Sequence, residues 1–137
     1  MRGRISGGMG ERRAKQRPPP MSNLDLVEVL CTASVPLREA RRMHVQSYGS
    51  VIPHVFMGDV LRRIGECLGL EKRHTLATHR HEMQGILAGL ERGMVEGDRE
   101  TRNVIAISFT RDSELELFFD ELRPLLGPRT RAQIQGK

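Results

Sequence analysis

Large apolar residues in the middle of the chain recur at the spacing of one α-helix. A helix that begins at Ser50 or Pro53 and runs to about Leu68 would carry them on one wide stripe. Gly69 is well placed to end this helix, and Gly58-Asp59 is a second position at which it could break. We expect this central helix to be buried among its neighbours, with these side chains facing inward: Val55, Phe56, Val60, Leu61, Ile64 and Leu68.

Two shorter helices are predicted before the central one. Asn23 is a good N-cap residue for the first of them. Pro36 disfavours a helical conformation at the residue before it, so we expect a turn over residues 32–35. Ser34 can then cap a second helix that begins at Pro36 and frays near Tyr48.

A longer helix is predicted after a polar link over residues 71–74. It begins at Thr75 or Thr78 and runs to Val95, with its buried face formed by Leu76, Met83, Ile86, Leu87, Leu90 and Met94. Glycine occupies every fourth position at residues 85, 89 and 93. This row either allows another helix to approach closely or simply lowers the local helix propensity.

The last third of the chain carries further helix-start signals. Asp98 caps a helix that runs to Phe109, although residues 104–109 could instead form a short apolar strand. Asp112 or Ser113 caps the next helix, which Pro124 should kink or end. Residues 129–137 are polar and are predicted to be a tail or a last short turn.

Together these patterns predict an all-α domain over residues 21–128, a compact bundle of about six helices. Residues Asp98, Arg102, Asn103 and Ala106 are spaced like those in the second helix of a HEAT-like repeat, which suggests HEAT-like hairpin packing in the second half. The chain has no clean internal period to support a repeat architecture.

The charge of the chain is concentrated at its N-terminus. The net charge is +5, and residues 1–20 hold six basic side chains against one acidic side chain, so the remainder is neutral. We predict that residues 1–20 are a disordered basic tail, because they are rich in Arg, Gly and Pro and nearly free of large apolar residues. The tail is either an extension upstream of a natural start at Met21 or an arm that contacts nucleic acid.

Candidate reactive residues are few. Cys31 and Cys67 lie on apolar helix faces without a CxxC motif, and no secretory signal or membrane-length apolar run of about 18 residues is present. We therefore expect a cytoplasmic protein with two reduced, buried thiols, with a disulfide as the alternative. His74, His79 and His81 lack the four convergent ligands of a structural zinc site, so we predict no metal and no cofactor.

His54 and Asp59 are the one pair that could perform acid–base chemistry, although no nucleophile accompanies them. The alternative is that His54 satisfies a backbone group and Asp59 caps a helix. Arg62 and Arg63 could join Arg41-Arg42 in a basic patch, or could form a solvated face with nearby glutamates. We predict no catalytic residue and retain His54, Asp59, Arg62 and Arg63 as binding candidates.

Four stretches together resemble a small bacterial family of unknown function. They are PHVFMGD at residues 53–59, Leu90-Glu91-x-Gly93 followed by Gly97-Asp98, VIAISF at residues 104–109, and LRPLLGP at residues 122–128. The resemblance covers roughly residues 24–128 and implies a compact, soluble helical protein of bacterial, actinobacterial-type origin. It implies no activity, cofactor or catalytic residue.

Three functional hypotheses follow. The first is a non-enzymatic helical module that binds a protein partner. Its immunity-like or regulatory role is an analogy only, since many small helical bacterial proteins of this sort look like immunity or antitoxin-type partners. The second is a nucleic-acid-associated regulator that uses the basic arm of residues 1–20. The third is an enzyme that uses His54 and Asp59, which requires both side chains to converge in one pocket.

Overall fold

The computed structural model describes residues 19–74, 77–111 and 119–135. Within these ranges the chain forms seven α-helices and one 3-10 turn, and no β-strand; a single isolated bridge pairs Met21 with Gly97. The predicted all-α bundle is therefore confirmed. The elements are α1 (Asn23–Ala33), α2 (Val35–Tyr48), α3 (Pro53–His74), α4 (Ala77–Glu96), α5 (Arg99–Arg111), α6 (Phe119–Leu122), a 3-10 turn (Arg123–Leu125) and α7 (Pro128–Gln135).

Helices α3 and α4 form the centre of the bundle. Helix α4 packs against α1, α3, α5 and α7, and α3 packs against α1, α2, α4 and α5. The core between them is mainly aliphatic, as expected from a chain with no Trp and one Tyr. Its largest fully buried side chains include Leu26, Leu30, Phe56, Ile64, Met83, Ile86, Leu90, Ile105 and Leu122.

The first two helices begin one residue earlier than predicted. Ser22, not Asn23, caps α1: its Oγ accepts from the N–H of Asp25 at 3.1 Å, and the Asp25 carboxylate accepts from the N–H of Ser22 at 3.1 Å. This reciprocal pair is a capping box, and it leaves the Asn23 amide to bond Glu100 of α5. Ser34 caps α2 as predicted, but the helix starts at Val35, so the expected four-residue turn is reduced to one residue.

Helix α3 is longer than predicted. It passes through Gly58 without a break and through Gly69 to end at His74. A glycine ends a helix by adopting a left-handed conformation, and among the described glycines only Gly49, which closes α2, has a positive φ, of 84°. One residue of the predicted buried stripe was wrongly assigned. Val55 is 45% exposed, whereas Met57, which was not predicted to be in the stripe, is buried. The other five predicted side chains of the stripe are buried.

The glycine row of α4 is a packing surface for α1. A Cβ atom at Gly85 would lie 3.0 Å from the Ala33 Cβ, and one at Gly89 would lie 2.8 Å from the Leu30 Cδ2. Both distances are shorter than ordinary carbon contacts. The prediction that small residues let a second helix approach closely is confirmed, and so is the burial of the apolar face from Met83 to Met94. Leu76 lies outside the described residues.

The segment before α1 is attached to the link between α4 and α5. The Met21 N–H donates to the Glu96 carbonyl at 2.8 Å, and the Met21 carbonyl accepts from the Asp98 N–H at 2.9 Å and from the Thr101 hydroxyl at 3.1 Å. Asp98 caps α5 as predicted, since its Oδ1 accepts from the Thr101 N–H at 2.8 Å. Residues 104–109 are helical, so the alternative strand does not form.

The C-terminal segment differs from the predicted polar tail. Pro128–Gln135 forms an eight-residue helix, α7, which packs against α4 and α5. A polar sequence becomes helical here because Glu91 of α4 caps it. The Glu91 carboxylate accepts from the N–H groups of Arg129 and Thr130 at 3.0 and 2.9 Å, and from the Thr130 hydroxyl at 2.9 Å.

Pro124 lies in the 3-10 turn that ends α6, in agreement with its predicted role. The cap predicted at Asp112 or Ser113 and the first turns of the helix expected there lie outside the described residues. The same holds for residues 1–18, so the prediction of a disordered tail remains a prediction.

Candidate interaction surface

His54 and Asp59 do not converge. They lie on the same helix five residues apart, which places their side chains about 140° apart around its axis. The His54 side chain is exposed, and the Asp59 Oδ1 instead accepts a hydrogen bond at 2.7 Å from Arg62, one turn further along. The placement of these residues gives no common pocket in which they could share a proton.

Arg63 faces the interior rather than a solvated basic patch. Its Nε and Nη2 donate to the two carboxylate oxygens of Glu82 at 2.7 and 2.8 Å, and the Ser34 hydroxyl donates to the same carboxylate at 2.6 Å. Burial raises the pKa of Glu82, but hydrogen bonds from Arg63 and Ser34 outweigh it, and the pKa is lowered. This polar cluster of Ser34, Arg63 and Glu82 joins the α1–α2 link to α3 and α4.

Both cysteines are buried and free, as predicted. Burial raises the pKa of Cys67 to about 11, and burial is also the main cause of the raised pKa of Cys31. The Cys31 thiol donates to the Leu37 carbonyl at 3.6 Å. Because the thiolate is the reactive form of cysteine, neither residue has the properties of a nucleophile at neutral pH.

The three histidines considered as metal ligands do not form a described metal site. His81 is exposed and His79 is half-buried, while the side chain of His74 lies outside the description. In the described parts of the chain, no three His, Cys, Asp or Glu side chains gather in a metal-binding arrangement.

The feature that stands out on the surface is apolar. Nine large apolar side chains of the described residues are more than a third exposed, and five of these lie within residues 43–55, at the end of α2 and the start of α3. We call these five residues the junction surface, although Met43 lies on a different side of α2 from Tyr48, about 140° away around the helix axis. They are Met43 (56% exposed), Val45 (37%), Tyr48 (55%), Ile52 (37%) and Val55 (45%).

A buried histidine organises the centre of this surface. His44 is 5% exposed, and its Nε2 accepts from the N–H of Ile52 at 3.0 Å. Its ring lies 4.7 Å from the Tyr48 ring and meets the Phe56 ring edge to face at 5.8 Å. The imidazole therefore connects Tyr48 and Ile52 to the core through Phe56.

The two helices that carry the junction surface also carry ion pairs. Arg42 pairs with Glu39 on α2, and Arg62 pairs with Asp59 on α3 at 2.7 Å. Each basic side chain is matched by an acidic one on its own helix. The charges of Arg42 and Arg62 are thus each neutralised locally.

This surface was not predicted from the sequence. Tyr48 was predicted to be the fraying end of α2, and Val55 was predicted to lie in the core. The signal that could have revealed it is the position of Met43 and Val45 around α2. Neither lies on the side of the helix that Leu37 and His44 bury.

Comparisons of the chain with protein-family models, with curated proteins and with solved structures found no match. None of the described helices is both long enough and apolar enough to cross a membrane.

Proposed function

We propose that this chain is a non-enzymatic helical module that binds a protein partner through the junction surface. The observation that carries the proposal is the group of five exposed apolar side chains at the end of α2 and the start of α3. An immunity-like or regulatory role in a bacterium is the concrete form of the hypothesis. We further propose that the protein acts in the cytosol, and its two free thiols support this, since oxidising compartments favour disulfides.

The composition of the junction surface supports the proposal. Tyr and Met are enriched at protein interfaces, as is Arg, whereas an isolated exposed Leu or Val needs no explanation. Tyr48 and Met43 are both more than half exposed, and Arg42 and Arg62 form ion pairs on the same two helices. Protein–protein contacts commonly combine an apolar centre with a polar rim, and exposed apolar and charged side chains occur together on these helices.

The test compares capture of partners from the native host by matched variants. Tyr48→Asp places a charge in the junction surface, whereas Val95→Asp places one on α4, where Val95 is also 54% exposed. A partner retained by the wild-type chain and by Val95→Asp, but lost with Tyr48→Asp, is then purified and its dissociation constant measured. Equal retention by all three chains would reject the proposal.

The alternative function, nucleic-acid binding through residues 1–20, rests on the location of the charge. This segment contains all of the +5 excess. Counterion release makes such binding strongly salt-dependent. Deletion of residues 1–20 should abolish binding of a random-sequence DNA duplex at low salt if this function is real. Unchanged binding after deletion would exclude it.

A further inference from the structure

We propose that His44 is a pH-sensitive switch. While its imidazole is neutral, the ring holds the second half of α2 and the link to α3 against the bundle, and it releases them when it binds a proton. The inference concerns the chain alone and does not depend on the proposed function. Histidine is suited to this role because its charge ordinarily changes between about pH 5 and pH 8.

The second half of α2 has a single buried anchor. The helix buries only Leu37, in its first turn, and His44. Residues 42–48 are all exposed except His44, which is 5% exposed. The attachment of this half of the helix to the bundle therefore depends on the imidazole.

The same ring fastens the link from α2 to α3. Gly49, with a φ of 84°, ends α2 and lets the chain turn back towards it. The Ile52 N–H then donates to the His44 Nε2 at 3.0 Å, and the Ile52 carbonyl accepts from the N–H groups of Val55 and Phe56 at 3.0 and 2.9 Å. Ile52 thus connects His44 to the first turn of α3, and its bond to the ring fixes the orientation of its peptide group.

Only a neutral ring can make this bond. A neutral imidazole has one N–H and one acceptor nitrogen, whereas the imidazolium ion has two N–H groups and no acceptor. A proton taken from solvent onto Nε2 would place a donor opposite the Ile52 N–H, in a partly buried position. The bond is then lost and two donors face each other, so proton uptake favours release of the link.

The carboxylates near the ring are engaged elsewhere. Helix α2 packs chiefly against α1 and α3. In the described structure, each carboxylate of α1, of α2 and of the first half of α3 already has a partner: Asp25 accepts from the Ser22 N–H, Glu28 pairs with Arg41, Glu39 with Arg42, and Asp59 with Arg62. A protonated His44 would have to break one of these contacts to gain a counter-ion.

The other titratable side chains on these elements do not offer one. The Cys31 thiol of α1 donates to the Leu37 carbonyl, and Tyr48 stacks on the ring through its aromatic face. The remaining groups are basic: Arg38, Arg41 and Arg42 on α2, and His54, Arg62 and Arg63 on the first half of α3. A positive charge on His44 is therefore added to a region that already carries several.

Two effects oppose the release. Aromatic faces attract cations, and the Tyr48 and Phe56 rings lie 4.7 and 5.8 Å from the imidazole. The C-terminal end of a helix also favours positive charge, but this effect fades beyond the last turn, and His44 lies just before it. Both are weaker than the loss of a hydrogen bond to a partly buried N–H, so the arrangement held by His44 loses stability as the pH falls.

The chain carries its own reporter for the test. Tyr48 is its only tyrosine, and it has no tryptophan, so the tyrosine band of the near-ultraviolet circular dichroism spectrum reports on Tyr48 alone. Amide hydrogen exchange, expressed as a protection factor, reports on the Ile52 N–H. Between about pH 7.5 and about pH 5 we expect the tyrosine signal to fall and the protection of Ile52 to drop about tenfold, as for the loss of one hydrogen bond. The far-ultraviolet signal of the helices should be largely retained.

Three variants assign the response to its residue. His44→Gln keeps a planar acceptor that does not titrate, so it should show the neutral-pH signals of the wild type at both pH values. His44→Phe fills the ring position without an acceptor and should show the released signals at both. His54→Gln removes an exposed histidine at the start of α3 and should respond as the wild type does.

Several results would overturn the inference. They are an unchanged wild type, a His44→Gln variant that responds like the wild type, and a His54→Gln variant that does not respond. If the core amides of Ile86 and Leu90 lose protection together with Ile52, acid unfolds the whole bundle and the local switch is rejected. If His44→Phe does not fold, the comparison between the wild type and His44→Gln decides the matter.

Discussion

Replacing Glu91 by alanine should release the C-terminal helix from the bundle. Glu91 accepts three hydrogen bonds at the start of α7, from the Arg129 N–H, the Thr130 N–H and the Thr130 hydroxyl. The two backbone N–H groups among these donors belong to the first turn of α7, where a helix has no internal acceptor for them. The residue thus serves as an N-cap supplied by a different helix.

The expected loss of stability follows from burial. Thr130 is 1% exposed, and an unpaired buried N–H costs about 1–3 kcal/mol. Arg129 is exposed, so water can replace the acceptor of its N–H at little cost. Removing a negative charge from a helix N-terminus costs a further ~0.3–1 kcal/mol. We expect Glu91→Ala to lower the free energy of unfolding by about 2–3 kcal/mol, and Glu91→Gln by about 1 kcal/mol, since the amide keeps one acceptor oxygen.

Urea unfolding at neutral pH measures the loss, and amide hydrogen exchange at Thr130 and Arg131 locates it. Glu96→Ala is the matched control, because Glu96 lies on the same helix, is exposed and forms only a surface pair with Arg92. Such pairs contribute little, so the control should change stability by less than about 0.5 kcal/mol. Equal stabilities of the two variants, with unchanged exchange at Thr130, would refute the capping role.

The same contact predicts a pH dependence. Burial raises the pKa of Glu91, but the hydrogen bonds from Thr130 and Arg129 prevail and the pKa lies below its ordinary value. A carboxyl with a depressed pKa in the folded state contributes stability above its unfolded pKa and loses it as the pH falls through the folded value. Acidification below the ordinary glutamate range should therefore weaken the wild-type chain more than Glu91→Gln, as followed by unfolding midpoints.

Three further predictions concern the core. Gly89→Ala should lower the melting temperature, because the new Cβ would lie 2.8 Å from a leucine of α1. Gly58→Ala should instead stabilise the fold by up to about 1 kcal/mol through helix propensity, because no atom lies within 4 Å of the new Cβ. Arg63→Ala should cost about 2–3 kcal/mol in urea unfolding because Glu82 stays largely buried without its partner, and Arg63→Met/Glu82→Met should recover most of it. Cys67 should react with a thiol reagent only as fast as the chain unfolds, and rapid labelling of the native chain would contradict its burial.

The features that were predicted correctly from the sequence depend on residues close together in the chain. Ser34 and Asp98 cap their helices because a short polar side chain reaches an amide three residues ahead, which is a local event. The glycine row of α4 could be placed on one helix face for a similar reason, since a spacing of four puts small residues on one face of any helix. The sequence left open whether that face packs against another helix, and the structure shows that it does.

The features that the sequence missed depend on distant residues. Gly69 carries an ordinary stop signal, but α3 continues through it, with Cys67 and Leu68 buried just before it. Helix α7 owes its cap to Glu91, 39 positions before Thr130, and no window around residue 130 contains that information. His44 appeared only as one residue in a polar helix, because its acceptor role requires the chain to turn back at Gly49.

The contrast between α2 and the rest of the bundle explains why the candidate surface lies where it does. Hydrogen bonds between distant residues join several parts of the bundle: Met21 to the α4–α5 link, Arg63 to Glu82, and Glu91 to α7. Helix α2 shares in them through its cap Ser34, which donates to Glu82. Helix α2 packs chiefly against α1 and α3 and buries only Leu37 and His44 among its fourteen residues. A helix at the edge of a bundle must leave much of its surface in water, and selection for solubility alone would make that surface polar. Met43, Val45 and Tyr48 are apolar there, next to the buried imidazole that fixes Ile52. Under the proposed function, a partner would cover these exposed apolar residues, and the buried imidazole would hold Tyr48 and Ile52 in place beneath it.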